Sequence, residues 1–174
     1  MSLLVILQVL AFIFALSAYY TTDRKLFLKI NATAIFFIGI SFYIQGGMTG
    51  FYIELMMFSI HIASLFVSKT QEKYLKLIAP PVAFYLANSI YDNGQSSFMA
   101  IAITFFVIGV FQHNMIYNKF MFIIGLVFMF FYSMSLEVPI IAASNIVGIL
   151  VLIVSLLNIN KENEDKKSNK EKLP

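Results

Sequence analysis

Two ionisable side chains, Glu54 and His61, stand inside one apolar stretch of the chain. They are seven residues apart, which is close to two turns of an α-helix, so both side chains would lie on one face. An ionisable group at membrane depth costs about 2.5–3.5 kcal/mol on insertion scales, and such a group usually faces a cavity or a partner. The pair could share or relay a proton, or bind a polar solute. The plainer alternative is that Glu54 reaches the outer interface and that His61 hydrogen-bonds to a neighbouring helix.

Ser144 and Asn145 are polar residues of a second apolar stretch, near the end of the chain. Ser144, Gly148 and Ser155 recur at helical spacing, and Asn145 borders them. Small residues allow two helices to approach closely, so ordinary packing is the alternative to solute binding here. We expect a substrate-binding set that consists of Glu54, Asn145, His61 and Ser144.

No constellation of residues in the sequence indicates an enzyme, a metal site or a cofactor site. The 174-residue chain has no Cys and two His, and it shows no phosphate-binding loop or paired catalytic carboxylates. It is 60% hydrophobic and 12% charged, whereas a soluble domain is about 25% charged. A soluble fold of this length could not bury so much apolar surface. The composition therefore predicts a polytopic membrane protein that contacts the lipid bilayer and does not bind nucleic acid. The polar residues within its apolar stretches are compatible with a small polar solute as a further partner. The composition is also compatible with a homo-oligomer.

Seven apolar segments have the length that a membrane-spanning helix needs, which is about 17–25 residues. We expect helices because the hydrocarbon core leaves no water for an unpaired backbone group. The predicted fold class is thus all-α, with seven transmembrane helices. They lie at 3–20, 26–45, 48–68, 74–91, 97–113, 118–136 and 138–158.

The basic residues indicate the orientation of these helices, because cytoplasmic loops are enriched in Lys and Arg. With seven helices, all twelve Lys and Arg residues fall on one side, around the first, third and fifth connections and in the C-terminal tail. The other connections carry only Asp92 and Glu137 as charges. We therefore expect the N-terminus outside and the C-terminus in the cytoplasm.

The three segments before the fourth resemble the three after it. Aromatic stretches at 12–20 and 36–43 correspond to 105–112 and 128–133 at an offset of about 90 residues. One helix between two three-helix units makes the units parallel, and in transporters of that kind the solute site lies near the midplane between the repeats. The predicted organisation is a first repeat, a linker helix, a second repeat and a disordered cytoplasmic tail, at 1–70, 71–95, 96–159 and 160–174.

Residues 4–70 resemble the bacterial inner-membrane YgjV family. The resemblance rests on the basic loop 23–25, the aromatic segment 38–46, the turn residues 48–50 and a polar residue at position 54. The layout of that family is similar to the SWEET and PQ-loop group, whose members move sugars, amino acids or vitamins. The resemblance implies a SWEET-like 3+1+3 arrangement in the bacterial inner membrane. It also implies that polar residues of helices 3 and 7 face each other across a solute cavity, which pairs Glu54 with Asn145.

Two functions stay open at this point. The first is a small-solute transporter or permease with a midplane site between the repeats. The second is a non-transporting membrane protein, either a subunit of a complex or a receptor. The second is favoured by the lack of helix-bending prolines in helices 1, 2, 5 and 6, since the prolines of the chain are Pro80, Pro81, Pro139 and Pro174. In addition, Glu54 stands where the YgjV family has Asn. A wet central pocket would favour transport, and a solid apolar centre would favour the alternative.

Overall fold

Helices account for nearly all of the chain that the structure describes. The computed structural model describes residues 3–44, 48–90, 96–135 and 139–171. Within these ranges the helices are α1 (Leu3–Tyr20), α2 (Arg24–Ile44), α3 (Met48–Phe66), α4 (Lys69–Ile90), α5 (Ser96–Val110), α6 (Met115–Ser135) and α7 (Pro139–Glu171). The predicted all-α fold class is therefore confirmed for the described part of the chain.

Four of these helices are long and apolar enough to cross a membrane. The qualifying segments are Leu3–Tyr20, Arg24–Ile44, Met115–Met134 and Ala142–Lys161. Two shorter apolar segments, Phe51–Phe66 and Ser97–Val110, belong to α3 and α5. Large apolar side chains also cover the outside of the helix assembly, and continuous apolar surface of that kind marks contact with lipid or another protein. The helices thus indicate association with a membrane.

The helices pack in two groups of three. In the first group α2 lies against α1 and α3, and in the second group α6 lies against α5 and α7. The groups meet where α1 contacts α7 and where α3 contacts α5. The remaining helix, α4, packs mainly against α5 and only slightly against α3. The centre of the assembly is therefore formed by the two groups, with α4 at one side.

Two clusters of buried side chains hold this arrangement together. One joins α2, α3, α4 and α5 around Met57, Ile103 and Val107. The other joins α1, α2, α5, α6 and α7 around Phe27 and Phe122. Burying a side chain of this kind removes it from water at a gain of about 1.5–3 kcal/mol. Residues of both clusters also line the central cavity described below.

Several helices begin earlier than the apolar segments predict, because capping residues and not hydropathy set their first turns. In α4, the Ser68 hydroxyl accepts a hydrogen bond from the Gln71 backbone N–H, and the Gln71 side chain accepts one from the Ser68 N–H. This reciprocal capping box starts α4 at Lys69 and not at residue 74. Asp23 and Asn114 accept hydrogen bonds from the first turns of α2 and α6 in the same way.

The end of the chain departs from the predicted disordered tail 160–174. The structure continues α7 to Glu171. Extending an existing helix fixes one residue for each new hydrogen bond and is much easier than starting one, and Lys and Glu are good helix formers. The apolar part of α7 thus supplies a nucleus from which the polar part continues. The connections between α2 and α3 and between α6 and α7, at 45–47 and 136–138, lie outside the described residues.

Candidate functional site

A central cavity of about 150 Å³ lies between the two helix groups. Six helices supply its walls, and α4 supplies none of them. The lining residues are Ala15 and Tyr19 of α1, Asn31, Ala34, Ile35 and Ile38 of α2, Ile53, Glu54 and Met57 of α3, Met99, Ile103 and Phe106 of α5, Phe122, Leu126 and Met129 of α6, and Asn145 of α7. The wall is therefore mostly apolar, with a few polar groups at defined places, which is the usual character of a small-molecule site.

Glu54 is the carboxylate of this cavity. It sits where α2 and α3 approach closely, because a Cβ atom placed on Gly39 would lie 3.3 Å from the Glu54 Cβ. Within the described residues, the carboxylate makes no hydrogen bond and no ion pair, although it interacts electrostatically with the Tyr19 phenol. The interior placement agrees with the position expected for it, whereas the alternative of an outward-reaching side chain does not fit the structure.

Asn145 lines the same cavity from the opposite helix group. Its Nδ2 donates a hydrogen bond to the Ser133 hydroxyl at 3.4 Å, and that hydroxyl donates to the Met129 carbonyl at 2.7 Å. One N–H of the amide is thus directed at α6. Ser144, the neighbouring residue in α7, does not line the cavity, since successive residues point about 100° apart around a helix.

His61 is completely buried, but it lies behind the cavity wall and not in it. Its Nδ1 is 2.8 Å from the Met57 carbonyl and its Nε2 is 2.8 Å from Nδ2 of Asn31. A carbonyl oxygen can only accept, so Nδ1 carries the hydrogen and Nε2 accepts from the Asn31 amide. His61 therefore fixes the orientation of Asn31, which does line the cavity. The predicted direct contact of His61 with a solute is not present in this arrangement.

Phe106 and Phe122 form the aromatic part of the wall, with ring centroids 5.2 Å apart. Each ring is seated on a glycine of the neighbouring helix. A Cβ on Gly125 would lie 2.4 Å from Phe106 Cε1, and one on Gly109 would lie 2.8 Å from Phe122 Cδ2. Both distances are shorter than a non-bonded carbon contact allows, so these two glycines give the rings the room in which they lie.

At one end of the assembly, each helix group caps a helix of the other group. We call this end the basic end and define it by Arg24, Lys76 and Lys119. The Lys119 ammonium of α6 donates a hydrogen bond to the Tyr19 carbonyl at the end of α1. Arg24 of α2 donates to the Val110 and Gln112 carbonyls at the end of α5, both at 3.0 Å. Cations at helix C-termini satisfy free carbonyls and the negative end of the helix dipole. The two contacts are reciprocal, and they join the two groups at this end of the assembly.

Glu72 joins α4 to both groups at the basic end. It is a buried residue, and its Oε1 lies 3.4 Å from the Arg24 guanidinium and 3.6 Å from the Lys76 ammonium. Its Oε2 is paired with His113 Nε2, in the connection between α5 and α6. A buried carboxylate with several such partners fixes the relative positions of the elements that carry them.

The site contains several residues that sequence reasoning did not assign to it. Tyr19 and Asn31 are outside the expected substrate-binding set, yet both line the cavity. A signal for Asn31 was present, since a polar residue within an apolar helix 30 residues before His61 could be its partner. Lys119 and Arg24 were interpreted only as markers of orientation, and no pattern in the sequence shows which carbonyls they reach.

In comparisons with known proteins, no family model, curated protein or solved structure matches the chain. The resemblance to the YgjV family therefore stays a prediction that rests on the residues quoted for it. Among the described residues, no three His, Cys, Asp or Glu side chains come together as a metal site would require.

Proposed function

We propose that this chain is a small-solute permease of the bacterial inner membrane, and that the central cavity is its solute site. The observation that carries the proposal is the cavity itself, which both helix groups line and which contains Glu54, Asn31 and Asn145. Placing an ionisable side chain such as Glu54 at membrane depth costs free energy, and residues of this kind usually have a function there. The non-transporting alternative would fit a filled apolar centre better than it fits this cavity.

The proposed architecture consists of two parallel three-helix repeats joined by α4. Three features support it. The helices pack in the same order within each group, and the contact of α1 with α7 is the counterpart of the contact of α5 with α3. Arg24 and Lys119, each near the start of the second helix of its group, cap the first helix of the other group. Parallel repeats of this kind would place the N-terminus outside and the basic end in the cytoplasm.

In the proposed mechanism, the cavity opens to one side of the membrane at a time. In the conformation described above, the reciprocal caps join the two groups at the basic end. Movement of one helix group against the other would separate Lys119 from the Tyr19 carbonyl and Arg24 from the end of α5. Each cap joins one side chain to backbone oxygens of the other group, so both break in the same motion. The cavity would then open at the basic end.

Uptake into proteoliposomes tests this proposal. The purified protein is reconstituted, and labelled neutral, anionic and cationic solutes small enough for the cavity are offered in turn. We expect at least one solute to enter faster than into protein-free liposomes. Asn145→Leu should reduce that uptake, whereas Asn158→Leu, the same change at an exposed position of α7, should not. Entry of no solute above the protein-free rate would refute the permease and favour the non-transporting alternative.

A further inference from the structure

The polar side chains that line the cavity are Glu54, Asn31, Asn145 and Tyr19. Nδ2 of Asn31 donates a hydrogen bond to His61, and Nδ2 of Asn145 donates one to Ser133. Each amide thus uses one of its two N–H groups in the protein and still has a carbonyl oxygen that can accept. Among the described lining residues, Glu54 is the one with a charged form, and that charge is negative. A site of this composition suits a cation and repels an anion.

Among the described residues, no Lys, Arg or His side chain lines the cavity to neutralise Glu54. Lys119 donates to the Tyr19 carbonyl and Arg24 donates to the end of α5. Glu54 is half-buried in a mostly apolar wall, and an ionised carboxylate without a cation partner is unfavourable in such surroundings. A proton or a cationic ligand would therefore stabilise Glu54 there, and one carboxylate can hold only one of the two at a time.

The rest of the wall fits an organic cation better than a hydrated metal ion. The faces of Phe106, Phe122 and Tyr19 can attract a cation through their ring quadrupoles. Met57, Met99 and Met129 add polarisable thioethers that adapt to apolar substituents. A cavity of about 150 Å³ is the size that holds a benzene molecule, so a solute of roughly six non-hydrogen atoms fits in this conformation.

We propose that the cavity binds a small organic cation of the ammonium type and that Glu54 exchanges it for a proton. The inference rests on the proposed permease function and specifies the solute class of that site. On binding, the carboxylic O–H bond of Glu54 breaks, the proton leaves to water on the side to which the cavity is open, and the carboxylate pairs with the cation. Release is the reverse step. One positive charge moves in each direction, so the exchange is electroneutral.

Tetramethylammonium is the probe for this inference. It has five non-hydrogen atoms, and because it has no N–H it cannot cross the bilayer as a neutral base. Proteoliposomes are loaded with a pH-sensitive dye, and tetramethylammonium chloride is added outside. We expect the lumen to become more alkaline in a protein-dependent manner, since protons leave as the cation enters. The rate should not change when the membrane potential is clamped with potassium and valinomycin.

Two variants at position 54 locate the exchange. Glu54→Gln removes the charge with little change in shape, and it should slow the alkalinisation about thirtyfold or more, as expected for the loss of a buried charge partner. Glu54→Asp keeps the charge and should retain measurable exchange. Glu164→Gln, the same chemical change in the polar part of α7, is the matched control and should leave the rate unchanged. Thermal unfolding of each variant shows whether it is folded.

The outcomes separate this inference from the permease proposal. Uptake of neutral or anionic solutes without any response to tetramethylammonium would overturn the cation site and leave the permease standing. Entry of labelled tetramethylammonium without alkalinisation would overturn the exchange with a proton. Full exchange activity in folded Glu54→Gln would overturn the role of this carboxylate. Absence of transport for every solute would refute the permease itself.

Discussion

The amide of Asn31 and the imidazole of His61 form a hydrogen bond of 2.8 Å between α2 and α3, directly behind the cavity wall. Both side chains are buried, and the second ring nitrogen of His61 is held by the Met57 carbonyl. The ring therefore presents an acceptor to Asn31 and takes up one N–H of its amide. His61, which does not line the cavity, thus helps to orient a side chain that does.

A double-mutant cycle on this pair should give a favourable coupling energy. Asn31→Leu or His61→Leu alone leaves a buried polar group without its partner, whereas the double variant removes both groups, which can be nearly neutral. Hydrogen bonds within membranes average about 0.6 and reach about 1.7 kcal/mol, and the complete burial of this pair places it towards the upper value. Reversible unfolding in mixed micelles measures the four free energies. Additivity of the two single changes would show that the pair contributes nothing.

Lys119→Met should loosen the end of α1 while it keeps most of the buried side-chain volume. The change removes the hydrogen bond to the Tyr19 carbonyl, and a hydrogen bond to a charged group is worth about 1.5–3 kcal/mol. Hydrogen–deuterium exchange of the peptide that covers residues 13–27 should accelerate by about tenfold or more, since about 1.4 kcal/mol corresponds to a factor of ten. Lys25→Met, at an exposed position in the first turn of α2, is the control. Equal exchange in both variants would mean that Lys119 does not stabilise the end of α1.

Gly125→Ala should lower stability, and Gly39→Ala should change it much less. Alanine favours a helix over glycine by about 0.5–1 kcal/mol, while forcing an extra carbon into a packed site costs about 1–3 kcal/mol. At Gly125 the new Cβ would lie 2.4 Å from Phe106, whereas at Gly39 the nearest atom is 3.3 Å away. The steric cost therefore exceeds the gain in helix propensity at Gly125. At Gly39 the steric cost and the gain in helix propensity nearly cancel. Thermal unfolding in detergent compares them, and an unchanged transition for Gly125→Ala would show that Phe106 moves aside freely.

Reporter fusions should find the C-terminus in the cytoplasm and the N-terminus outside. The reason is the placement of the twelve basic residues on one side of a seven-helix arrangement. Alkaline phosphatase, which folds only in the periplasm, should be inactive when fused after Pro174, whereas a green fluorescent protein at that position should fluoresce. An active phosphatase fusion would reverse the orientation and would place the basic end outside.

Most of the helices could be predicted from the sequence. Contact with lipid and burial inside the protein both require continuous apolar segments, and such segments are visible in the sequence. The predicted segment 3–20 coincides with α1, since a polar connection follows it directly. Starts of helices were less predictable wherever a polar cap precedes the apolar run, as Ser68 does for α4. The end of α7 was missed for a related reason: composition predicts solubility of the tail, but it does not exclude continuation of a helix that already exists.

The polar groups of the site were only partly predictable. Glu54 could be recognised because a charged residue in an apolar segment costs free energy. That cost can be inferred without knowing which residues Glu54 contacts. Which groups it faces depends on contacts between distant parts of the chain, such as Asn31 with His61 and Lys119 with Tyr19. The distribution of basic residues predicts a side of the membrane for Lys119, but it contains no information on a backbone carbonyl 100 residues earlier. Ser144 was assigned to the site because it recurs at helical spacing with Gly148 and Ser155, yet Asn145 lines the cavity and Ser144 does not.

The central claim is that an aqueous solute enters the cavity, and thiol labelling tests it most directly. The chain has no Cys, so a single introduced thiol is the only one that reacts. Met57→Cys places it on the cavity wall, while Leu55→Cys places it on the outer apolar surface, two residues away on the same helix. A small cationic methanethiosulfonate should modify the Met57→Cys variant about tenfold faster or more, because only a water-exposed thiol forms the reactive thiolate, and tetramethylammonium should slow that reaction. Equally slow labelling of both variants would contradict a solute cavity at this position.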